Sequence, residues 1–182
     1  MNPAMQDDIP SPRYTLIVGL GNPILGDDGV GWRVAEEVSK QSGITLGDAP
    51  LPGLHDQEQQ PITIECYSLA GLSLMERLIG YDRVILIDAL NTGKHPQGEM
   101  VCFTLDDMED LIHGHTASAH DVSLKQALKL GRSMGESLPD NTQVHIVAVE
   151  AAHVYDFQEE LSPAIAAAVP LAVQKVLGLI GK

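Results

Sequence analysis

The feature that most restricts this chain is a series of short, almost wholly apolar runs separated by helix-length stretches. Tyr14 to Gly19 (YTLIVG), Ile62 to Tyr67 (ITIECY), Asp82 to Asp88 (DRVILID) and Gln143 to Val149 are each strand-length. The first and third are apolar through their middles, as strands covered on both faces must be, which points to a parallel sheet. Helical segments lie between them. Asp28 to Lys40 sets Val30, Val34 and Val38 on one face, and Leu69 to Ile79 reads as a second helix. His120 to Met134 follows with Leu124, Ala127 and Leu128 at helical spacing. A last helix opens with Ser162 as N-cap and Pro163 at its first position. Pro170 is expected to kink or split that helix. Glu99 to Leu105 makes one more strand. The loop before it, with Gly93, Pro96 and Gly98, has no room for a crossover helix, so this strand is expected to run antiparallel.

The result is an α/β fold: a three-layer sandwich with a mostly parallel five-stranded sheet, one antiparallel strand and helices on both faces. At 182 residues the chain suits one core. Residues 14–182 are expected to form that single domain, after a mobile polar lead over 1–13. Residues 43–61, rich in Pro, Gly, Asp and Gln, read as an enlarged surface loop. Asp106 to Ile112 reads as a helical turn, and residues 113–119 (HGHTASA) as a loop of small residues.

Charge narrows the partners. A net charge of −14 and a pI of about 4.6 oppose binding to phosphate backbones and to anionic membranes. The N-terminus lacks the basic start and apolar run of a signal peptide, and no apolar stretch is long enough to span a bilayer. Two cysteines, Cys66 and Cys102, make no disulfide framework and suit a reducing cytoplasm.

In sheets of this kind, sites form outside the carboxyl ends of the strands. The first strand leads into GLGNPILGDDGVG, residues 19–31, the third is read as ending at Asp88, and His120 opens a helix. Two carboxylates and an imidazole converging there suit a divalent first-row metal, with positions left open for substrate. Asp27 is expected to cap the first helix or face solvent, leaving Asp28 available. Ser118-Ala-His-Asp121 resembles a capping box, which puts His120 in a first helical turn. There the helix dipole favours the neutral, ligating imidazole. His113 and His115 are nearby rivals.

Other chemistries fit less well. Ile24 stands where a dinucleotide-binding loop needs its third glycine. Gly71-Leu-Ser73-Leu-Met75 lacks the second glycine of a nucleophile elbow. No H-E-x-x-H occurs, and both cysteines fall in strand-like runs, away from helix starts that would favour a thiolate.

Four segments in order, LIVGLGNPILGDDGVGWRVAEEV, YDRVILIDAL, SAHDVSL and DFQEELSPAI, together resemble the hydrogenase maturation endopeptidases across residues 14–182. The resemblance implies an α/β sandwich of phosphorylase/hydrolase-like type. It also implies metal contacts from an acid in the first motif, an Asp ending the third strand and a later His, which here are Asp28, Asp88 and His120. The implied activity removes the C-terminal extension of a nickel–iron hydrogenase large-subunit precursor after nickel insertion, without an ordinary protease nucleophile. Nickel carried by that precursor would serve as the recognition element. A cytoplasmic protein, monomeric when free, is expected. The long 43–61 loop and Pro170 depart from the family pattern and bear on loop contacts and partner choice.

Three rivals remain. Peptidyl-tRNA hydrolase shares a strand followed by GLGNP, but Ile24 replaces its next glycine and the acidic charge opposes tRNA. A non-catalytic, nickel-sensing chaperone-like module would use the same three residues. A generic metal-dependent hydrolase would turn over simple esters or phosphates with no protein partner.

Overall fold

The computed structural model describes residues 14–47, 61–107, 119–155 and 157–182, with the backbone alone for 119–123. The expected lead over 1–13, most of the 43–61 loop, the greater part of 106–112 and the loop bearing His113 and His115 lie outside the described residues, as do the capping-box side chains at 118–121.

Five strands form one sheet: β1 Thr15–Leu20, β2 Ile62–Tyr67, β3 Arg83–Leu90, β4 Met100–Thr104 and β5 Val144–Glu150. Their spatial order is β2-β1-β3-β5-β4, parallel except for β4, which runs antiparallel to β5. A 3₁₀ turn, Gly26–Gly29, leads into α1, Val30–Ser42; the other helices are α2, Gly71–Arg77, α3, Ala119–Ser133, and α4, Pro163–Leu179. The expected three-layer α/β architecture is the one observed.

Strand side chains alternate between faces, and so divide between two apolar layers. Ile17, Ile85, Ile87, Val147 and Val149 pack with Val30, Val34 and Val38 of α1 and with Ile165, Val173 and Val176 of α4. Leu16, Val18, Val84, Leu86 and Ile146 pack on the opposite face with Leu74 and Leu78, and with Leu124 and Leu128 of α3.

Three details depart from the local reading. β3 does not stop at Asp88. It continues to Leu90 because β5 offers a ladder partner that far, Ala148 for Asp88 and Glu150 for Leu90. The first helix proper begins at Val30, so Asp27 and Asp28 sit in the preceding 3₁₀ turn. The last helix is not split: Pro170 lies inside one continuous helix. Pro170 and Ala166, whose carbonyl loses its helical donor, are both exposed, so that carbonyl is open to solvent. No helix among the described residues is long and apolar enough to cross a membrane.

Candidate active site at the carboxyl edge of the sheet

From β1 the chain passes through α1 to β2 on one side, while β3 takes the other side of β1. The carboxyl ends of β1 and β3 therefore flank a topological switch point, where such sheets open a crevice. The β1–β3 ladder closes at Gly19 opposite Ile87, and the next residue on β3 is Asp88.

Two glycines bring the first motif onto this edge. Gly31, in the first turn of α1, sits so close to the strands that a Cβ there would lie 2.3 Å from the carbonyl oxygens of both Leu20 and Ile87. Gly21 adopts φ +114°, and a Cβ there would lie 1.9 Å from the Asp28 carbonyl oxygen. The loop thus folds back tightly enough for the Asn22 N–H to donate to Asp28 Oδ2 at 2.7 Å. Asn22 Oδ1 in turn accepts the Ile24 N–H at 3.2 Å. An acid of the chain itself occupies the amide that a phosphate-binding loop would offer to a ligand, in keeping with a tight strand-to-helix turn.

Asp28 is half-buried and its turn packs against β3. Asp88 is 5% exposed, and its Oδ1 accepts the Ala89 N–H at 2.8 Å. It shares strand parity with Val84 and Leu86, which places it on the face covered by α2 and α3.

The C-terminal end of α3 leads to the amino edge of the sheet, where the Gly80 N–H donates to the Ser137 carbonyl at 2.8 Å before β3 begins. Fifteen helical residues span about 22 Å, enough to cross the sheet, so the N-terminus of α3 lies at the carboxyl edge. His120 is the second residue of that helix, on the same face and at the same edge as Asp88; its side chain lies outside the described residues. Among the described residues, no group of three or more His, Cys, Asp or Glu is placed to hold a metal ion.

Asp27 behaves differently from the expectation of a cap or a solvated acid. Neither the 3₁₀ turn nor α1 has a side-chain cap, and Asp27 is fully buried. Its Oδ1 accepts the Ser162 N–H at 2.7 Å, and its Oδ2 pairs with Ser162 Oγ at 2.9 Å. Ser162 is the N-cap residue of α4, as expected, but its hydroxyl makes no bond to its own helix. Replacing Asp27 with alanine is therefore expected to cost more than the roughly 1 kcal/mol of a surface cap. Two bonds to a buried carboxylate are lost, so the expected loss is about 2–4 kcal/mol in denaturant unfolding. A loss under ~1 kcal/mol would show that the Ser162 donors find other partners.

Glu150 was not singled out in the sequence, although it follows VHIVAV just as Asp88 follows VILI. It is 4% exposed, and its carboxylate accepts the Thr92 N–H at 2.7 Å, the Thr92 hydroxyl at 2.6 Å and the Gly93 N–H at 2.6 Å. It moors the loop that leaves β3 just beyond Asp88. A charge ending an apolar strand was the available signal in both cases.

The cysteines lie in β2 and β4, as their apolar surroundings suggested. Burial pushes the Cys66 thiol up to about 12, with Glu36 and Glu65 adding to it, and burial also raises Cys102. Neither is a ready thiolate nucleophile.

A three-layer α/β sheet with acids from two elements at the carboxyl edge beside its switch point defines an α/β protein with a candidate polar site at that edge. Comparison with known proteins gives the particular family. The sequence model of the hydrogenase maturation proteases matches residues 69–179, and the chain belongs to that family. The structure superimposes on the hydrogenase maturating endopeptidase HybD from E. coli with a TM-score of 0.67 at 23% identity, covering 92% of this chain and 91% of that one. Protein FrxA of Pyrococcus furiosus is 28% identical over 156 residues, 86% of this chain and 97% of its own length. The hydrogenase expression/formation protein HupD of Rhodobacter capsulatus is 21% identical over 166 residues, 91% of this chain and 70% of its own. The resemblance carried by the four sequence segments is thereby borne out at the level of family and fold.

Proposed function

We propose that this protease removes the C-terminal extension of a nickel–iron hydrogenase large-subunit precursor once nickel has been inserted. In this reading Asp28, Asp88 and His120 engage the nickel that the precursor carries. The observation that carries it is the arrangement at the switch point: acids from two different elements stand at one edge, and the N-terminus of α3 reaches the same edge.

Carboxylate oxygens with one imidazole suit a first-row divalent ion, and three such contacts leave positions for the ligands the substrate already supplies. A precursor without its ion would offer these residues nothing to grip, so cleavage would wait for nickel. The ion, once engaged, would supply Lewis-acid polarisation, and these three residues would be the ones to hold it. The chain's own part is to hold the precursor tail in register with that ion.

The rim beside Asp28 suits a protein-sized partner. Ile24 and Phe157 lie side by side across the parallel Leu25–Gln158 bridge, and Phe157 and Tyr155 are 85% and 81% exposed. Large apolar side chains displayed together mark surfaces that other proteins cover.

The test is to incubate the protease with nickel-loaded and nickel-free precursor and to weigh the precursor by mass spectrometry. Loss of a C-terminal peptide from the loaded form alone is the expected result. A stable complex with no mass loss would instead indicate a binding module, and equal cleavage of both forms would remove nickel as the recognition element.

A further inference from the structure

We infer that Asp27 is a positioning residue: it latches the loop that carries Asp28 to the start of α4, and so sets where the Asp28 carboxylate stands. The inference rests on the proposed role of Asp28.

Both oxygens of Asp27 are engaged by one residue, Ser162, through its N–H at 2.7 Å and its hydroxyl at 2.9 Å, in a fully buried place. The same stretch of chain is fastened along the loop. The Gly26 N–H donates to the Gln158 carbonyl at 2.7 Å, and the Gln158 N–H to the Ile24 carbonyl at 3.2 Å. The Asp27 N–H donates to the His153 carbonyl at 3.2 Å, and the Arg33 guanidinium to the Glu159 carbonyl at 3.2 Å. The loop over 24–27 is thus clamped to the segment that opens α4.

The turn type converts this clamp into a direction. A 3₁₀ turn has about three residues per turn, so successive side chains point about 120° apart. With Asp27 drawn inward to Ser162, Asp28 is turned away from it, where its Oδ2 takes the Asn22 N–H at 2.7 Å. Two adjacent acids therefore have separate tasks, one internal and one at the crevice.

The arrangement needs hydrogen bonds, not charge. An asparagine at 27 can accept from the Ser162 N–H with its carbonyl and donate to Ser162 Oγ with its amide. Asp27→Asn should keep the latch, and Asp27→Ala should release it. Ser162→Ala should loosen it partly, since one of the two bonds survives.

The experiment pairs precursor processing with the amide resonance of Asn22, which reports the Asp28 hydrogen bond without any turnover. We expect Asp27→Asn to process at close to the wild-type rate with Asn22 unmoved. Asp27→Ala should lose about a hundredfold in rate, the scale set by misplacing a reacting group by about 1 Å. Its Asn22 resonance should shift in the direction seen in Asp28→Ala, while core amides such as Ile17 and Val147 stay in place. Ser162→Ala should move Asn22 the same way by less, and it decides the matter should Asp27→Ala fail to fold. An unmoved Asn22 in both Asp27→Ala and Ser162→Ala overturns the inference. So does an Asp27→Asn variant that stops processing with Asn22 unmoved, which would put Asp27 itself on the substrate. Normal processing by Asp28→Asn would sink the functional reading of Asp28, and the Asn22 shifts would still decide whether the latch positions it.

Discussion

Replacing Asp88 with alanine, or His120 with alanine, should lower the rate of precursor cleavage by about a thousandfold or more. A group that contacts the ion in the transition state is worth several kcal/mol, and ~4 kcal/mol is a thousandfold in rate. Both variants should remain folded. Asp88 lies one residue past the end of the β1–β3 ladder, and its loss removes an acceptor from the Ala89 N–H, a cost of about 1 kcal/mol. His120 lies in the first turn of α3, ahead of the residues Leu124, Ala127 and Leu128 that anchor that helix in the core. Single-turnover cleavage of nickel-loaded precursor, with circular dichroism to confirm the fold, is the measurement. Wild-type turnover in either variant takes that residue out of the site, and the two are read independently because they come from different elements.

Gly31→Ala should produce a large loss of stability. The added methyl would meet the Leu20 and Ile87 carbonyl oxygens at 2.3 Å, and both belong to central strands that cannot yield without disturbing the sheet. Overpacking of a core typically costs 1–3 kcal/mol through shifted side chains; here backbone meets backbone, so at least about 3 kcal/mol is expected. For a chain of this size that lowers Tm by roughly 6–12 °C. The damage should reach the site as well, because lifting α1 moves the turn that carries Asp28 off β3. A melting temperature within about 2 °C of wild type would show that α1 rides more loosely on the sheet than the close approach implies.

The acids at the carboxyl edge of the sheet stood out in the sequence because their signal is local. Asp88 follows four apolar residues, and a carboxylate there must exit toward a crevice or find a partner. The pair Asp27–Asp28 was visible as more than one cap requires, and Asp28 was singled out from it, but the buried place of Asp27 was not legible. Asp27 and Asp28 are neighbours with the same side chain, and what separates them is Ser162, 135 residues away. The late segment DFQEELSPAI helped to carry the family resemblance without revealing a purpose. In the fold Gln158 bridges Leu25 and Ser162 holds Asp27, so this segment serves the first motif. Glu150 escaped notice although it carries the same signature as Asp88, because its purpose lies in Thr92 and Gly93, more than fifty residues earlier.

Element type and order could be read along the chain, since strand-length apolar runs and the helical spacing of Val30, Val34 and Val38 record, residue by residue, which side faces a core. The antiparallel sense of β4 followed from a loop too short for a crossover. Its place did not: β5 enters between β3 and β4, so β4 lies at the sheet edge and β3 gains a ladder running past Asp88 to Leu90. Nor did the buried place of Asp27 beside Ser162 follow from the chain. Periodicity is imposed on each segment by its own burial, and so is written locally. Strand neighbours and the partner of a buried carboxylate are settled by contacts between distant segments, which leave no pattern until the chain is folded.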